Sequence, residues 1–206
     1  MDLAAAVALF DDAAARYGDA FHRLVADRLV GGVDGAVAPR VVLDAATGTG
    51  DAAFAVLRRF RPERIVAIDL SPRMVERAVA AAAEHDPDGR IEWRTGPAAP
   101  APVADAAVDL VVCASSLHFL GMGALRDWRR VLRPGGRVAF SLPAAATFRP
   151  APAFADLVHA DIPIPDDEDA AAAIATAAGF TRARAERLVA GDDRPRTGFL
   201  VHATAP

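Results

Sequence analysis

A continuous apolar run that leads into an aspartate and a glycine-rich loop is the feature of this 206-residue sequence that most restricts its fold. Residues 40–45 have the character of a strand buried on both faces, because Val41 to Leu43 form an unbroken apolar run. Residues 51–60 then predict a helix. A buried strand, a glycine loop and a helix in this order favour an open α/β sheet, in which ligands bind beyond the carboxyl ends of the strands. The loop reads Asp44-Ala45-Ala46-Thr47-Gly48-Thr49-Gly50.

The rest of the sequence continues this alternation of strand and helix. We predict further helices over residues 2–30 (one or two), 71–84, 124–132 and 170–178, with Ser71 as an N-cap and Gly179 as a C-cap. Further strands are predicted at 65–69, 91–94, 108–114 and 137–141, and a hairpin at 183–190 and 197–203. The pattern predicts a Rossmann-like, doubly wound α/β sheet of seven strands with helices on both faces. That sheet is mostly parallel, with one antiparallel strand from the C-terminal hairpin.

The length suits a single domain over residues 1–206. Within it we predict four parts: an N-terminal helical cover (1–36), a cofactor-binding core (37–142), a variable acceptor-side segment (143–169), and a C-terminal helix with the hairpin (170–206). Residues 96–107 and 143–169 are rich in proline and predict mostly irregular structure, apart from a helical turn in the first of them.

Composition excludes several classes of protein. The net charge of −4 argues against a large nucleic-acid surface. No apolar run approaches the roughly 20 residues that a membrane span needs, and no basic leader begins the chain. Cys113 is the only cysteine, which excludes an intrachain disulfide and cysteine-based zinc clusters. We therefore expect a cytoplasmic monomer or homodimer with a small-molecule substrate, no nucleic-acid or membrane partner and no metal.

The glycine loop has a definite chemistry. Its glycines let the backbone approach a ligand closely, and the helix that follows offers free N–H groups to an anion such as a carboxylate. Asp44 stands at the strand end, where it can face an ammonium group directly or through water. Asp69 ends the second strand and can accept hydrogen bonds from both hydroxyls of a ribose.

A dinucleotide fold is the rival interpretation, because Gly48-x-Gly50-x-x-Ala53 with Asp69 downstream matches that fingerprint formally. Three residues separate Asp44 from Gly48, however, and an acid at the strand end would repel a pyrophosphate. A loop that merely connects a strand to a helix is the third interpretation. The ordered set of strand, acid, glycines, helix, second strand and second acid favours a ligand site over it.

At this point the sequence resembles the class I S-adenosylmethionine-dependent methyltransferases over about residues 38–142. The segments that carry the resemblance are VVLDAATGTGDAAFAV, IVAIDLSPRMVERA and WRRVLRPGGRVAF. The phrase DAATGTGD is especially similar to the ubiquinone and menaquinone C-methyltransferase branch. Close variants occur among other small-molecule methyltransferases, so we do not adopt a quinone as the substrate.

The resemblance implies that S-adenosylmethionine is the cofactor and assigns its contacts. Asp44, Gly48 and Gly50 would line its methionine end, Asp69 would hold the ribose, and Leu70 would pack near the adenine. The family usually has an acidic residue on the adenine amino group, and its position here holds Pro97. This departure leaves backbone groups of Ala98 to serve the adenine, at a cost of about 1 kcal/mol for the lost hydrogen bond. The other candidates for the cofactor site are Ala45, Thr47, Met74, Cys113, Ser115 and Tyr17.

His118 is the candidate general base, because the ordinary pKa of histidine lies near neutrality. The alternative is a histidine of the pocket wall. Tyr17, which would lie on the helical cover, could contact the cofactor carboxylate, the acceptor or only the core. His22 and His159 are weaker candidates, and a surface role is the expectation for His159.

The function expected is methyl transfer to oxygen, nitrogen or carbon of a small organic acceptor. A protein of the same fold that binds S-adenosylmethionine without methylating, in a cyclase-like or regulatory role, is the alternative. A dinucleotide-dependent oxidoreductase is a further one.

Overall fold

The computed structural model describes residues 3–15, 20–34, 38–191 and 195–206. The helices are α1 (Leu3–Ala14), α2 (Ala20–Gly31), α3 (Asp51–Phe60), α4 (Pro72–His85), α5 (Leu117–Leu120), α6 (Met122–Val131), α7 (Pro152–Ala155) and α8 (Glu168–Ala177). The strands are β1 (Val41–Ala45), β2 (Arg64–Asp69), β3 (Ile91–Thr95), β4 (Val108–Cys113), β5 (Leu132–Pro143), β6 (Thr181–Ala190) and β7 (Arg196–Thr204).

One seven-stranded sheet has the order β3-β2-β1-β4-β5-β7-β6. The pairs along β3-β2-β1-β4-β5 are parallel, whereas β7 runs antiparallel to both β5 and β6. This confirms the predicted sheet and its single antiparallel strand. The strand order reverses between β1 and β4, so a crevice opens at the carboxyl ends of these two neighbours.

The central strands are apolar on both faces because helices cover the sheet on both sides. Along β1, Val42 packs into the cluster with α2 and α3, and Leu43 packs into the cluster with α6 and α8. This alternation follows from the two-residue period of a strand. Trp128 of α6 and Phe199 of β7 are fully buried in the second cluster.

Several predicted boundaries are shifted, and those of β5 and α8 have a clear physical reason. Residues 132–136 belong to β5 and do not simply close a helix, because Leu132 pairs with Val108 before the register shifts. Helix α8 begins at Glu168 and not at residue 170, since the Asp167 side chain accepts the Ala170 N–H as an N-cap. Its C-cap is Ala178, and Gly179 follows with φ +88°.

Two short helices, α5 and α7, lie where no helix was predicted. The helical turn allowed for within residues 96–107 is not formed. In the part of the chain that the structure describes, no helix is both long and apolar enough to cross a bilayer.

Candidate functional site

A cavity of about 600 Å³ lies at the carboxyl ends of the central strands. Its floor is formed by the loops after β1, β2, β3 and β4, and the ends of β5 and β7 form one side. Residues of α1, α2 and the 147–159 segment complete the wall. The volume falls within the range of small-ligand sites, which is about 300–1,000 Å³.

Asp44 is fully buried at the end of β1. Its Oδ2 accepts the Thr47 hydroxyl at 2.5 Å, while its Oδ1 has no hydrogen-bond partner among the described residues. Burial raises the pKa of Asp44 to about 7, and the Thr47 hydroxyl and the nearby Ala53 backbone N–H offset this only in part. A buried carboxylate oxygen without a partner is costly, so the site suits a cationic or hydrogen-bond-donating ligand.

A smaller cavity of about 20 Å³ lies against this carboxylate. Asp44, Thr47 and Ser115 line it together with Asp51 and Ala52 at the start of α3. His22 lines both this cavity and the larger one. The arrangement places the carboxylate next to a helix N-terminus, which favours the two opposite charges of an amino acid moiety.

Asp69, at the end of β2, binds the backbone of the loops that follow β1 and β2. Its Oδ2 accepts the Gly48 N–H at 2.8 Å, and its Oδ1 accepts the Ser71 N–H at 2.9 Å. Burial raises the pKa of Asp69, and these backbone donors oppose the shift. A carboxylate has about four acceptor positions, so Asp69, which also lines the cavity, keeps capacity for a ligand hydroxyl beside its backbone donors.

The two glycines of the loop lie in different surroundings. Gly48 has φ +56° and lines the cavity. Gly50 has φ +90° and lines neither cavity, and a Cβ on it would lie 2.8 Å from Trp93 and 2.9 Å from Phe54. Gly50 is therefore needed for the turn and for its packing.

Pro97 and Ala98 line the cavity after β3, as the resemblance implies for an adenine pocket. The Ala98 carbonyl already accepts the Trp128 indole N–H at 3.3 Å. Of the backbone groups of Ala98, the N–H is therefore the better candidate for an adenine contact.

The structure gathers most of the predicted site residues. Gly48, Asp69, Leu70, Met74, Pro97, Ala98, Ser115 and His118 line the large cavity. Asp44 and Thr47 line the small one, whereas Ala45, Gly50 and Cys113 line neither. Cys113 is fully buried in the core, where burial raises the pKa of its thiol. Tyr17 lies outside the described residues.

His118 is buried between aromatic rings, with Phe119 at 4.0 Å and Phe148 at 5.3 Å between ring centroids. Burial lowers its pKa to about 4. Burial thus moves this ring away from the ordinary near-neutral pKa of histidine, and its role as general base stays a prediction. His118 is neutral at pH 7 and weakly basic.

Sequence reasoning missed much of the apolar wall. Phe10, Phe119 and Phe154 form a trio with ring centroids 5.5–6.2 Å apart, which joins α1 to the segments after β4 and β5. Phe21 and Phe199 line the cavity as well. Phe10 and Phe21 reach the cavity from α1 and α2, and Phe199 reaches it because β7 pairs with β5.

His159 also lines the cavity. Its ring is nonetheless half-exposed and lies 2.6 Å from the Asp161 carboxylate. No group of three or more potential metal ligands occurs within the described ranges.

Comparison with known proteins agrees with this geometry. Residues 42–136 match the family model described as "Methyltransferase domain". The malonyl-[acyl-carrier protein] O-methyltransferase of Dechloromonas aromatica (strain RCB) is 36% identical over 142 residues, covering 68% of this chain and 50% of the relative. The ubiquinone/menaquinone biosynthesis C-methyltransferase UbiE of Dinoroseobacter shibae is 34% identical over 119 residues, covering 57% and 47%. This chain thus spans about half the length of these curated relatives.

A methyltransferase solved in complex with the Haloferax volcanii Trm112 methyltransferase activator shares the fold. The TM-score is 0.70 at 19% sequence identity, with 96% of this chain and 97% of the other covered. Fold, loop and matched core together define a class I methyltransferase domain. The matched residues 42–136 are a domain of the class I S-adenosylmethionine-dependent methyltransferase type.

Proposed function

We propose that this protein transfers the methyl group of S-adenosylmethionine to oxygen, nitrogen or carbon of a small, largely apolar organic acceptor. One observation carries the proposal: a single cavity connects the loop residues Gly48 and Asp69 with the aromatic wall of Phe119 and Phe154. Cofactor and acceptor can therefore meet within one enclosed volume. The relatives named above act on different acceptors, so they support the reaction class and leave the acceptor open.

The residues at the loop fit the cofactor. Asp44 offers an unpartnered buried carboxylate oxygen to its ammonium group, and the N-terminus of α3 offers N–H groups to its carboxylate. Asp69 would accept from a ribose hydroxyl, and Leu70 and Met74 would pack near the adenine. When bound, the cofactor supplies a methyl group on a positively charged sulfur.

What the chain itself contributes is positioning and exclusion of water. Helix α1 covers the cavity because Asp11 accepts hydrogen bonds from the Ser71 hydroxyl and from the Arg73 N–H. Phe10, on the same helix, packs against Phe119. We propose that His118 belongs to the pocket wall, since a neutral, weakly basic ring suits packing better than proton removal.

The acceptor side is apolar with a polar rim. Phe148, Phe154 and Leu157 line it, and Arg149 and Arg196 line the cavity as well. The Arg196 guanidinium group stacks on the Phe21 ring at 3.9 Å. We therefore propose a compact acceptor with a flat apolar part. A monomer or homodimer in the cytoplasm remains part of the proposal.

The test has two arms. Calorimetry should show binding of S-adenosylmethionine and S-adenosylhomocysteine and no binding of NAD or NADP. Incubation with methyl-labelled cofactor and a metabolite extract should yield labelled small molecules together with S-adenosylhomocysteine. Label found solely in protein or nucleic acid would refute the small-acceptor proposal. Binding without S-adenosylhomocysteine formation in any extract would favour a non-methylating protein.

A further inference from the structure

We propose that His159, held by Asp161, is the general base that removes a proton from the acceptor, so that the acceptor class is one with a weakly acidic O–H group such as a phenol. This inference rests on the proposed function. It adds to that function a second histidine, an orienting carboxylate and a chemical class of substrate.

The ring of His159 lines the cavity beside the aromatic acceptor wall. Its Nδ1 lies 2.6 Å from Oδ1 of Asp161 and 3.4 Å from the Asp161 backbone N, so the carboxylate is its nearer partner. A carboxylate on Nδ1 fixes the tautomer in which that nitrogen carries the proton, and Nε2 is then the atom available to accept another. Both side chains are half-exposed and His159 lines the cavity, so an acceptor can reach the ring without crossing the core.

The segment that carries the pair is attached to the fold at three points. The His159 N–H donates to the His118 carbonyl at 2.8 Å, and the Met122 N–H at the start of α6 donates to Asp161 Oδ1 at 3.0 Å. The third is the side chain of Ile162, which is buried in the core cluster. The pair of His159 and Asp161, here called the dyad, is therefore positioned by backbone groups of α5 and α6. These two helices come directly after β4 in the chain.

Gly121 makes room for the dyad. A Cβ at this position would lie 2.6 Å from Oδ1 of Asp161 and 2.6 Å from Nδ1 and Cγ of His159. Its φ of +76° is a second reason for glycine here. Both constraints hold the carboxylate and the imidazole against the α5–α6 junction.

His118 does not compete for this role. Its Nδ1 has no hydrogen-bond partner among the described residues, so no carboxylate orients the ring. Burial lowers its pKa to about 4, which weakens it as a base. His159 has what His118 lacks, namely an orienting acid and a half-exposed ring.

The step balances as follows. His159 Nε2 takes the proton of the acceptor O–H, and an oxygen electron pair forms the new O–CH₃ bond. The bond between methyl carbon and sulfur breaks, its electron pair stays on sulfur, and S-adenosylhomocysteine results. The proton on Nε2 then passes to water.

The experiment compares two probes, unsubstituted phenol and a nitro-substituted phenol that is already ionised at pH 8. With His159→Gln we expect the transfer rate to phenol to fall by about 10²- to 10⁴-fold, the usual range for a lost general base. Transfer to the ionised phenol should fall less than about threefold, because no proton has to be removed. Asp161 is a positioning residue. Asp161→Asn should therefore slow transfer to phenol more than transfer to the ionised phenol, by a smaller factor than His159→Gln does. Asp161→Glu, which keeps a carboxylate, should restore part of the rate with phenol.

His85→Gln is the matched control, since His85 is an exposed histidine that packs on Phe54 and does not line the cavity. Its rates with both phenols should equal those of the unmodified protein. Equal losses with the two phenols in His159→Gln, or no loss with either, would overturn the dyad alone. Transfer to components of an extract but to neither phenol would overturn the acceptor class and the dyad while leaving methyl transfer intact. Absence of any transfer would overturn the proposed function and the dyad with it.

Discussion

Replacing Asp44 by asparagine should stabilise the protein without ligand and weaken its binding of the cofactor. The carboxyl group is fully buried, and burial raises its pKa from 3.8 to about 7. Asparagine has nearly the same shape, can still accept the Thr47 hydroxyl and carries no charge. The variant therefore removes the charge and little else.

The sign of the stability effect follows from proton binding. A folded-state pKa above the unfolded value means that the folded protein binds more protons between pH 3.8 and about 7, so its stability falls as pH rises through this window. The full difference corresponds to about 4 kcal/mol above pH 7. Because other titrating groups are common to both proteins, the advantage of Asp44→Asn should widen by about 2 kcal/mol between pH 5 and pH 7.

Urea unfolding at a series of pH values measures this gap directly, since the midpoint and slope give the free energy of unfolding at each pH. A gap that stays constant within about 0.5 kcal/mol from pH 5 to pH 7 would refute the buried, protonatable carboxylate. A variant less stable than the parent at pH 8 would refute it as well.

The same substitution should lower cofactor affinity by about 10- to 100-fold, the value of one charge-assisted hydrogen bond to the ammonium group. In the parent protein, affinity should decline below pH 7 as Asp44 takes up a proton, to about one tenth of its plateau at pH 6. It should also decline above about pH 8, where the α-amino group loses its proton. If calorimetry shows the same fall in cofactor affinity below pH 7 in Asp44→Asn, the fall must be assigned to another titrating group.

Three further changes test the rest of the site. Asp69→Ala should lower the free energy of unfolding by about 2–4 kcal/mol, since two backbone N–H groups lose their acceptor, and should weaken cofactor binding at least tenfold; unchanged affinity in calorimetry would contradict the ribose assignment. Gly50→Ala should cost about 2 kcal/mol or more in thermal unfolding because of its φ of +90° and the close contacts of its Cβ, whereas the control Gly123→Ala, with open space around its Cβ inside α6, should gain up to about 1 kcal/mol. His118→Asn should reduce the transfer rate less than about tenfold, and a loss of 10²-fold or more with unchanged cofactor affinity would restore it as the base.

The central fold could be predicted because its signals are local. Continuous apolar runs mark β1, β2 and β4, and each is buried on both faces. Ser71 followed by Pro72 marked the start of α4, where the Ser71 hydroxyl does accept the Met74 N–H. The extension of β5 could not be predicted in this way, since Leu132 joins the sheet only through its pairing with Val108. That contact depends on strand order, which no local pattern encodes.

The residues of the candidate site also fall into two groups, those that local sequence predicts and those that depend on the tertiary fold. The acids Asp44 and Asp69 were identified because each ends an apolar strand, and the topology then brings both to one crevice. Burial of His118 and the pairing of His159 with Asp161 depend on how the 143–169 segment folds back on α5. The prolines of this segment indicate that it is irregular but do not fix its path.

Asp44 violates two rules of folding at once: it is an ionisable residue buried in an apolar strand, and one of its oxygens lacks a partner among the described residues. A residue that makes its own protein less stable at neutral pH points to a ligand, because local failures of sequence–structure consistency concentrate at functional sites. Gly50 also departs from ordinary backbone geometry, with its φ of +90°. Trp93 and Phe54 fill the space around it, so packing explains why glycine is needed there. Packing leaves the unpartnered oxygen of Asp44 unexplained, whereas a bound ammonium group would satisfy it. The glycine pattern alone is therefore compatible with several nucleotides, and the buried acid at the strand end favours one that also carries an amino acid.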